Sequence, residues 1–329
     1  MMSTQGSSSS SFLNLKRRAQ VKTWEWMGLV LILASPWVFV SHAMLLNEIA
    51  ITALFAVSLD LILGYSGIVS LGHAAFFGWG CYSAGLFAKL WMPDPILGLL
   101  FASSSGALLG LILSLTVLRG TDLTRIMVTL GVSLIGYELA NRLSGLTGGA
   151  DGLQGVLMAP VLGQFEFDLI GQVASVYSVT TLVLVLVFLR RVVYSPFGVG
   201  LTAIRDNRLR AESVGLPVAR RLMVIYSLSA AVAALAGGLL AQTTGFASLD
   251  VFSFERSADV LLMLVIGGVG WLYGGVVGAL VFKLIQQELS SITPQYWMFW
   301  IGFLLIILVM VGREKLFSPL RRLLPGGRP

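Results

Sequence analysis

Residues 47–63 read NEIAITALFAVSLDLIL, and past the first helical turn the only charge in that run is Asp60. A helix needs roughly 17–25 predominantly apolar residues to cross a bilayer, so this stretch has the length and chemistry of a lipid-crossing helix. The same search outward along the chain gives ten windows: 27–44, 47–63, 71–90, 96–118, 126–143, 173–189, 222–241, 258–272, 274–292 and 296–311. The pair flanking Gly270 is short and glycine-rich, and reads either as one broken helix or as a re-entrant pair, so eight to ten spans are expected. The expected fold class is therefore all-α, a polytopic integral membrane protein with some helices glycine-interrupted or re-entrant. Composition agrees: 56% of the 329 residues are hydrophobic and 12% charged, where a soluble domain carries about 25% charged residues.

Three regions follow: a polar, Ser-rich and then basic tail over 1–22, a membrane domain over 23–312, and a basic tail over 313–329. Short cytoplasmic flanks collect lysine and arginine. With the N-terminus inside, 18 of the 22 basic residues fall on cytoplasmic flanks, leaving Lys89, Arg142, Arg256 and Lys283 on the outer side or within spans. The expected topology is multi-pass in a bacterial inner membrane with both termini cytoplasmic. The net charge of +6 needs no nucleic acid; anionic lipid at the inner leaflet accounts for it. The single cysteine, Cys81, rules out an internal disulfide and a cysteine metal cluster. No H-E-x-x-H motif is present, and no metal or cofactor is expected.

Two loops are too long to be plain connectors. Residues 144–172 contain LTGGADGLQG, with Gly148, Gly149, Asp151 and Gly152, and fall on the outer side as either a flexible surface loop or a gating element. Residues 195–221 fall inside, with Pro196 opening and Gly215 and Pro217 closing one or two short helices. That segment is either a lever for a moving partner or a basic helix resting on headgroups.

Charges within spans are costly, about 2.5–3.5 kcal/mol at mid-helix on insertion scales, which singles out Asp60, Glu138 and His73. In an ion-coupled transporter they would be ion sites; otherwise they tie helices together or meet water, the bland reading for His73. Glycines at small-x-x-x-small spacing, such as Gly106 with Gly110 and Gly274 with Gly278, mark helix contacts. The glycine-rich runs 64–80 and 267–278 are also candidates for interrupted helices along a translocation path, through Gly64, Ser70, Gly72, His73, Gly78, Gly267, Gly268 and Gly270. No Gly-x-x-x-x-Gly-Lys-Ser/Thr loop exists, so this chain does not cradle ATP phosphates in that way.

Four separated motifs, GYSGIVSLGHAAFFGWGCY (64–82), LTGGADGLQG (146–155), SPFGVGLTAIRDNRLRAESVG (195–215) and AGGL with IGGVGWLYGGVVG (236–239, 266–278), together resemble the permeases of branched-chain amino-acid ABC importers, in particular the M-type member of the usual pair. The resemblance implies a pore shared with a second permease subunit, two cytoplasmic ABC ATPases, and a periplasmic or extracellular solute-binding protein. It implies import of branched-chain or related hydrophobic amino acids, with related permeases carrying urea, amides or aromatic acids. It also implies that Arg205, Arg208, Ala211, Glu212, Ser213 and Gly215 lie in the segment that meets the ATPase.

Overall fold

The computed structural model describes residues 23–306 apart from 169, 297, 304 and 305. The two tails and part of the 296–311 window lie outside the described residues. Among the described residues the protein is helical with no strand. Helix α1 spans Thr23–Val38, α2 Ala43–Leu63, α3 Ala74–Leu90, α4 Pro95–Val117, α5 Asp122–Arg142 and α6 Gln172–Val193. Two short helices, α7 (Pro196–Asp206) and α8 (Arg208–Ser213), precede the longest, α9 (Val218–Thr244), and α10 (Phe254–Gly267) and α11 (Gly274–Ile292) follow. Five helical stretches are long and apolar enough to span a bilayer, those of α2, α4, α5, α6 and α9. The chain is an all-α polytopic membrane protein.

Lipid tails are as apolar as leucine, so helices in a bilayer associate through close packing and interhelical hydrogen bonds. Helix α9 is built for this. A Cβ on Gly80 of α3 would strike the backbone of Ala234, and one on Gly106 or Gly110 of α4 would strike the methyl groups of Ala234 or Ala230. Gly237 of α9 in turn lies against the Phe77 carbonyl of α3. Hydroxyls fasten the same contacts: Ser227 donates to the Ala107 carbonyl at 2.6 Å and Ser229 to the Ser58 carbonyl at 2.5 Å. Helix α2 is the second central rod, 83% buried along its span, whereas α5 is 17% buried and lies at the margin. Cys81 is buried between α3 and α9.

The first span differs from the sequence expectation. Helix α1 contains Pro36 and stops at Val38, after which the chain turns through Val40–His42 into α2 rather than continuing to Met44. Proline removes a backbone donor and crowds the preceding turn, which places the break here. The pair around Gly270 is resolved as two helices, α10 and α11, joined by a six-residue loop.

All the helix ends marked by residues 195–221 form one end of the bundle, called here the basic end. At that end Glu25 of α1 and Arg190 of α6 form an ion pair, Nη2 to Oε2 at 2.7 Å and Nε to Oε2 at 3.0 Å, with side chains 5% and 8% exposed. Sequence reading counts Arg190 among the cytoplasmic flank residues; its side chain is buried, with the guanidinium over the Tyr194 ring. Removing one partner of a buried pair strands the other charge, at a cost of about 3–5 kcal/mol. Arg190→Ala is therefore expected to lower the thermal midpoint of the detergent-solubilised protein by several degrees, read by fluorescence-detected size exclusion after heating. The double variant Glu25→Gln, Arg190→Met should recover much of that loss, and a single variant with unchanged midpoint would contradict the pairing.

Candidate coupling site

Ser195 caps α7, its hydroxyl accepting from the amides of Phe197 and Gly198 at 3.2 and 3.5 Å, and Pro196 occupies the first helical position. This start is fixed by side-chain capping and a preset φ. It carries Arg205 to the final turn of α7, where Nη1 donates to the Gly64 carbonyl. That carbonyl terminates α2, one of the end groups that an α-helix leaves without an internal partner.

The same helix end is held from the other side. Asp60 of α2 is fully buried, and its Oδ1 accepts the Gly270 amide at 2.7 Å. Gly270 has φ +79° and Gly268 φ +110°, conformations reached between α10 and α11 that disfavour any side chain. Gly64 must also be small, because a Cβ would collide with Asp60 Oδ1 and the Gly270 backbone. The second carboxylate oxygen of Asp60 has no hydrogen-bond partner among the described residues. Three groups that sequence reasoning kept apart thus meet at one junction: Arg205 from the loop, Gly64 and Gly270 from the glycine breaks, and the intramembrane Asp60.

Beyond α7, Asn207 caps α8 by accepting from the Arg210 amide at 2.9 Å. Arg208 and Glu212 pair at 3.0 Å on its half-exposed surface, Ala211 is buried, and the Ser213 hydroxyl donates to the Leu209 carbonyl at 2.8 Å. Gly215, with φ +84°, turns the chain towards α9 in open space. Leu209 and Val214, each 77% exposed, form an apolar tip on this otherwise charged segment. Sequence reasoning missed these two, although isolated aliphatic residues within RDNRLRAESVG were the available signal. Beside them a cleft of about 500 Å³ is lined by Gly67, Thr121, Arg125, Arg205, Asn207 and Arg208 among others.

Residues 64–73 leave the helical path, and α3 starts where the start of α10 meets it, the Ala74 amide donating to Ser257 Oγ at 2.9 Å. Gly72 and Gly78 are packing points here: a Cβ would strike the Thr129 carbonyl at the first and the Phe252 ring at the second. Ser70 is buried and its hydroxyl has no hydrogen-bond partner among the described residues. His73 does not meet solvent, and although it occupies the N-cap position of α3 its side chain makes no capping hydrogen bond. It is fully buried, stacked on Phe55 at 5.6 Å, and its Nε2 lies 2.9 Å from Ser58 Oγ. Ser58 donates its proton to the Phe55 carbonyl at 2.6 Å, so the imidazole donates from Nε2. Gly267 packs against Gly274 and Gly278 between α10 and α11.

The glycine-rich loop at the far end is a fixed structure. Gly148, Gly149 and Gly152 all have positive φ, Asp151 is exposed, and Leu153 bridges to Ala247 through hydrogen bonds of 2.8 and 3.1 Å. Leu153 fills the space above Gly85 of α3. Glu138, expected within a span, pairs with Arg142 one turn on at the exposed surface of α5. Among the described residues no cluster of three or more His, Cys, Asp or Glu side chains is placed to hold a metal ion.

Comparison with known proteins gives a consistent set. The family described as "Branched-chain amino acid transport system / permease component" matches residues 41–309. The high-affinity branched-chain amino acid transport system permease protein LivM of Escherichia coli is 28% identical over 92% of this chain and 76% of its own length. The autoinducer 2 import system permease protein LsrD of Yersinia enterocolitica is 30% identical over 74% of this chain and 73% of its own. The galactose/methyl galactoside import permease protein MglC of Salmonella typhimurium is 27% identical over 66% of each chain. No solved structure matches the chain.

The junction makes a local forecast. Asp60→Ala removes the acceptor of the Gly270 amide, and the loop between α10 and α11 should then exchange its amide hydrogens faster, by about tenfold for one lost hydrogen bond. Hydrogen exchange read by mass spectrometry on the protein in nanodiscs measures this; a loop exchanging at the parent rate would mean that Asp60 does not hold it.

Proposed function

Because this chain belongs to the family of permease components of branched-chain amino acid transport systems, we propose that it is the membrane subunit through which an ATP-driven importer moves branched-chain or related hydrophobic amino acids. The observation that carries the coupling part of this reading is the Arg205–Gly64 and Asp60–Gly270 junction. It joins the basic segment to the end of α2 and to the break between α10 and α11. A push on α7 reaches both helix breaks through one guanidinium.

In this reading the basic end faces the cytoplasm, and two ATPases dock on residues 195–221. A second permease subunit completes the pore, and an external solute-binding protein delivers the solute to the opposite end. Anionic lipid at the inner leaflet accompanies the basic residues. The membrane domain runs over 23–312. Leu209 and Val214 enter a recess on the ATPase, framed by Arg208 and Glu212, while Gly215 allows the turn that presents them. ATP binds the states of the whole complex with different affinity, and that difference is what shifts the gate. Gly64, Gly72, Gly78 and Gly267 to Gly270 act as the close-packed pivots bordering the path. LivM matches over 92% of this chain and MglC over 66%, which favours an amino acid over the sugars named for MglC.

Leu209→Asp and Val214→Asp should abolish most ATP-dependent leucine uptake in proteoliposomes of the assembled importer, and Glu212→Lys should weaken it, while membrane insertion is unaffected. Co-purification of the ATPase subunits should fall in parallel. Full uptake by the Leu209→Asp variant would overturn the docking role. So would labelling of Arg208→Cys by an impermeant maleimide from outside intact cells, because it would place the segment away from nucleotide.

A further inference from the structure

Two of the four basic residues that the cytoplasmic flanks do not absorb, Arg256 and Lys283, line one cavity of about 510 Å³ at the far end of the bundle. Its walls come from the starts of α2, α6 and α10, the end of α9 and the middle of α11. Lys283 Nζ pairs with Glu48 Oε2 at 3.1 Å, the lysine 14% and the glutamate 58% exposed. Asp168 is occupied as a cap, its carboxylate accepting the amides of Gln172 and Val173 at 3.2 and 2.9 Å. Arg256 differs from these. Its backbone amide is capped by Ser253, but its guanidinium makes no hydrogen bond or ion pair among the described residues. Asp259, one turn along α10, is close enough to feel both cations.

A half-shielded arginine within a membrane bundle carries a cost that a partner must offset. Guanidinium prefers carboxylate or phosphate, which it engages with two parallel donors. The charges on the cavity wall, Arg256 and Lys283 against Glu48 and Asp168, are of both signs, with Asp259 adding a negative charge behind the two cations, which suits a zwitterion better than a bare anion. The remaining wall is mixed: Met44, Ile51, Phe77 and Leu240 give an apolar side, and Asn47, Thr52, Thr243 and Thr244 give a polar one. The volume lies within the roughly 300–1,000 Å³ typical of small-molecule sites.

We propose that this cavity is a binding site for an α-amino acid with an aliphatic side chain, in which Arg256 takes the carboxylate, Glu48 takes the ammonium, and the apolar wall takes the side chain. The site rests on the reading of the chain as an amino-acid permease and adds to it a solute contact made by the permease itself, separate from any receptor.

The probe is L-leucine at millimolar concentration, followed by saturation-transfer NMR on the full chain in phosphatidylcholine nanodiscs with no binding protein present. The expected result is a leucine signal that L-leucinol, which lacks the carboxylate, neither reproduces nor displaces. Arg256→Gln should weaken leucine by roughly tenfold or more, the loss of a charge-assisted pair, and Arg256→Lys should retain part of it. The leucinol comparison uses the unaltered chain, so it stands even if Arg256→Gln fails to fold. Absence of a leucine signal, equal binding of leucinol, or unchanged affinity in Arg256→Gln would each overturn the proposal. Loss of the leucine signal on adding phosphatidylglycerol to the nanodisc would also overturn it, assigning Arg256 to a lipid phosphate. Leucine uptake by the assembled importer is measured alongside: uptake without binding sinks this site alone, and no uptake by the unaltered importer sinks the transport reading.

Discussion

The whole bundle depends on how closely α3 and α4 approach α9. With no hydrophobic force between helices in lipid, cohesion comes from contact surface and from backbone-to-backbone proximity, and both require that the meeting residues be small. Gly80, Gly106, Gly110 and Gly237 provide that against Ala230 and Ala234. Because these contacts set glycines against backbone or against alanine methyl groups, they have little room to adjust. The compliant parts of the molecule are then the places where helices stop: residues 64–73 and the loop between α10 and α11. Both breaks face the basic end or the interior, and the packed rods run between them and the far end.

That division of rigid rods and interrupted ends gives the Arg205 contact its meaning. An arginine on a short capped helix touches the terminal carbonyl of α2, and one turn earlier in α2 an aspartate holds the amide of Gly270. The three elements share a single small volume with no space for a side chain at Gly64. The Arg205 guanidinium and the Asp60 carboxylate link α7, the end of α2 and the α10–α11 loop through two hydrogen bonds.

Much of this architecture was legible in the sequence. The long apolar runs gave α2, α4, α5, α6 and α9, because hydrophobic length is a property of contiguous residues. The glycine-rich stretches marked both breaks, and Pro196, Gly215 and Pro217 bracketed the short helices of residues 195–221 for reasons of local backbone geometry. What escaped was every pairing across distance. Arg190 read as a flank residue because its partner Glu25 lies 165 residues away. Arg205 read as part of a docking motif, and only the fold shows it on Gly64, 141 residues earlier. Residues 144–172 read as either a flexible loop or a gating element, because the bridge from Leu153 to Ala247 is invisible to composition. The start of α2 was displaced because the turn after Val38 depends on Pro36 and on how α1 packs against α6, not on hydropathy.

The Glu25–Arg190 pair also has a consequence in time. During synthesis the carboxylate of α1 emerges long before the guanidinium of α6 exists. At elongation rates of about 5–20 residues per second, the 165 positions from Glu25 to Arg190 take roughly 8 to 33 s to be made. Throughout that interval Glu25 lacks the guanidinium that it meets in the folded bundle. The contact between α1 and α6 through this pair therefore waits on the translation of α6.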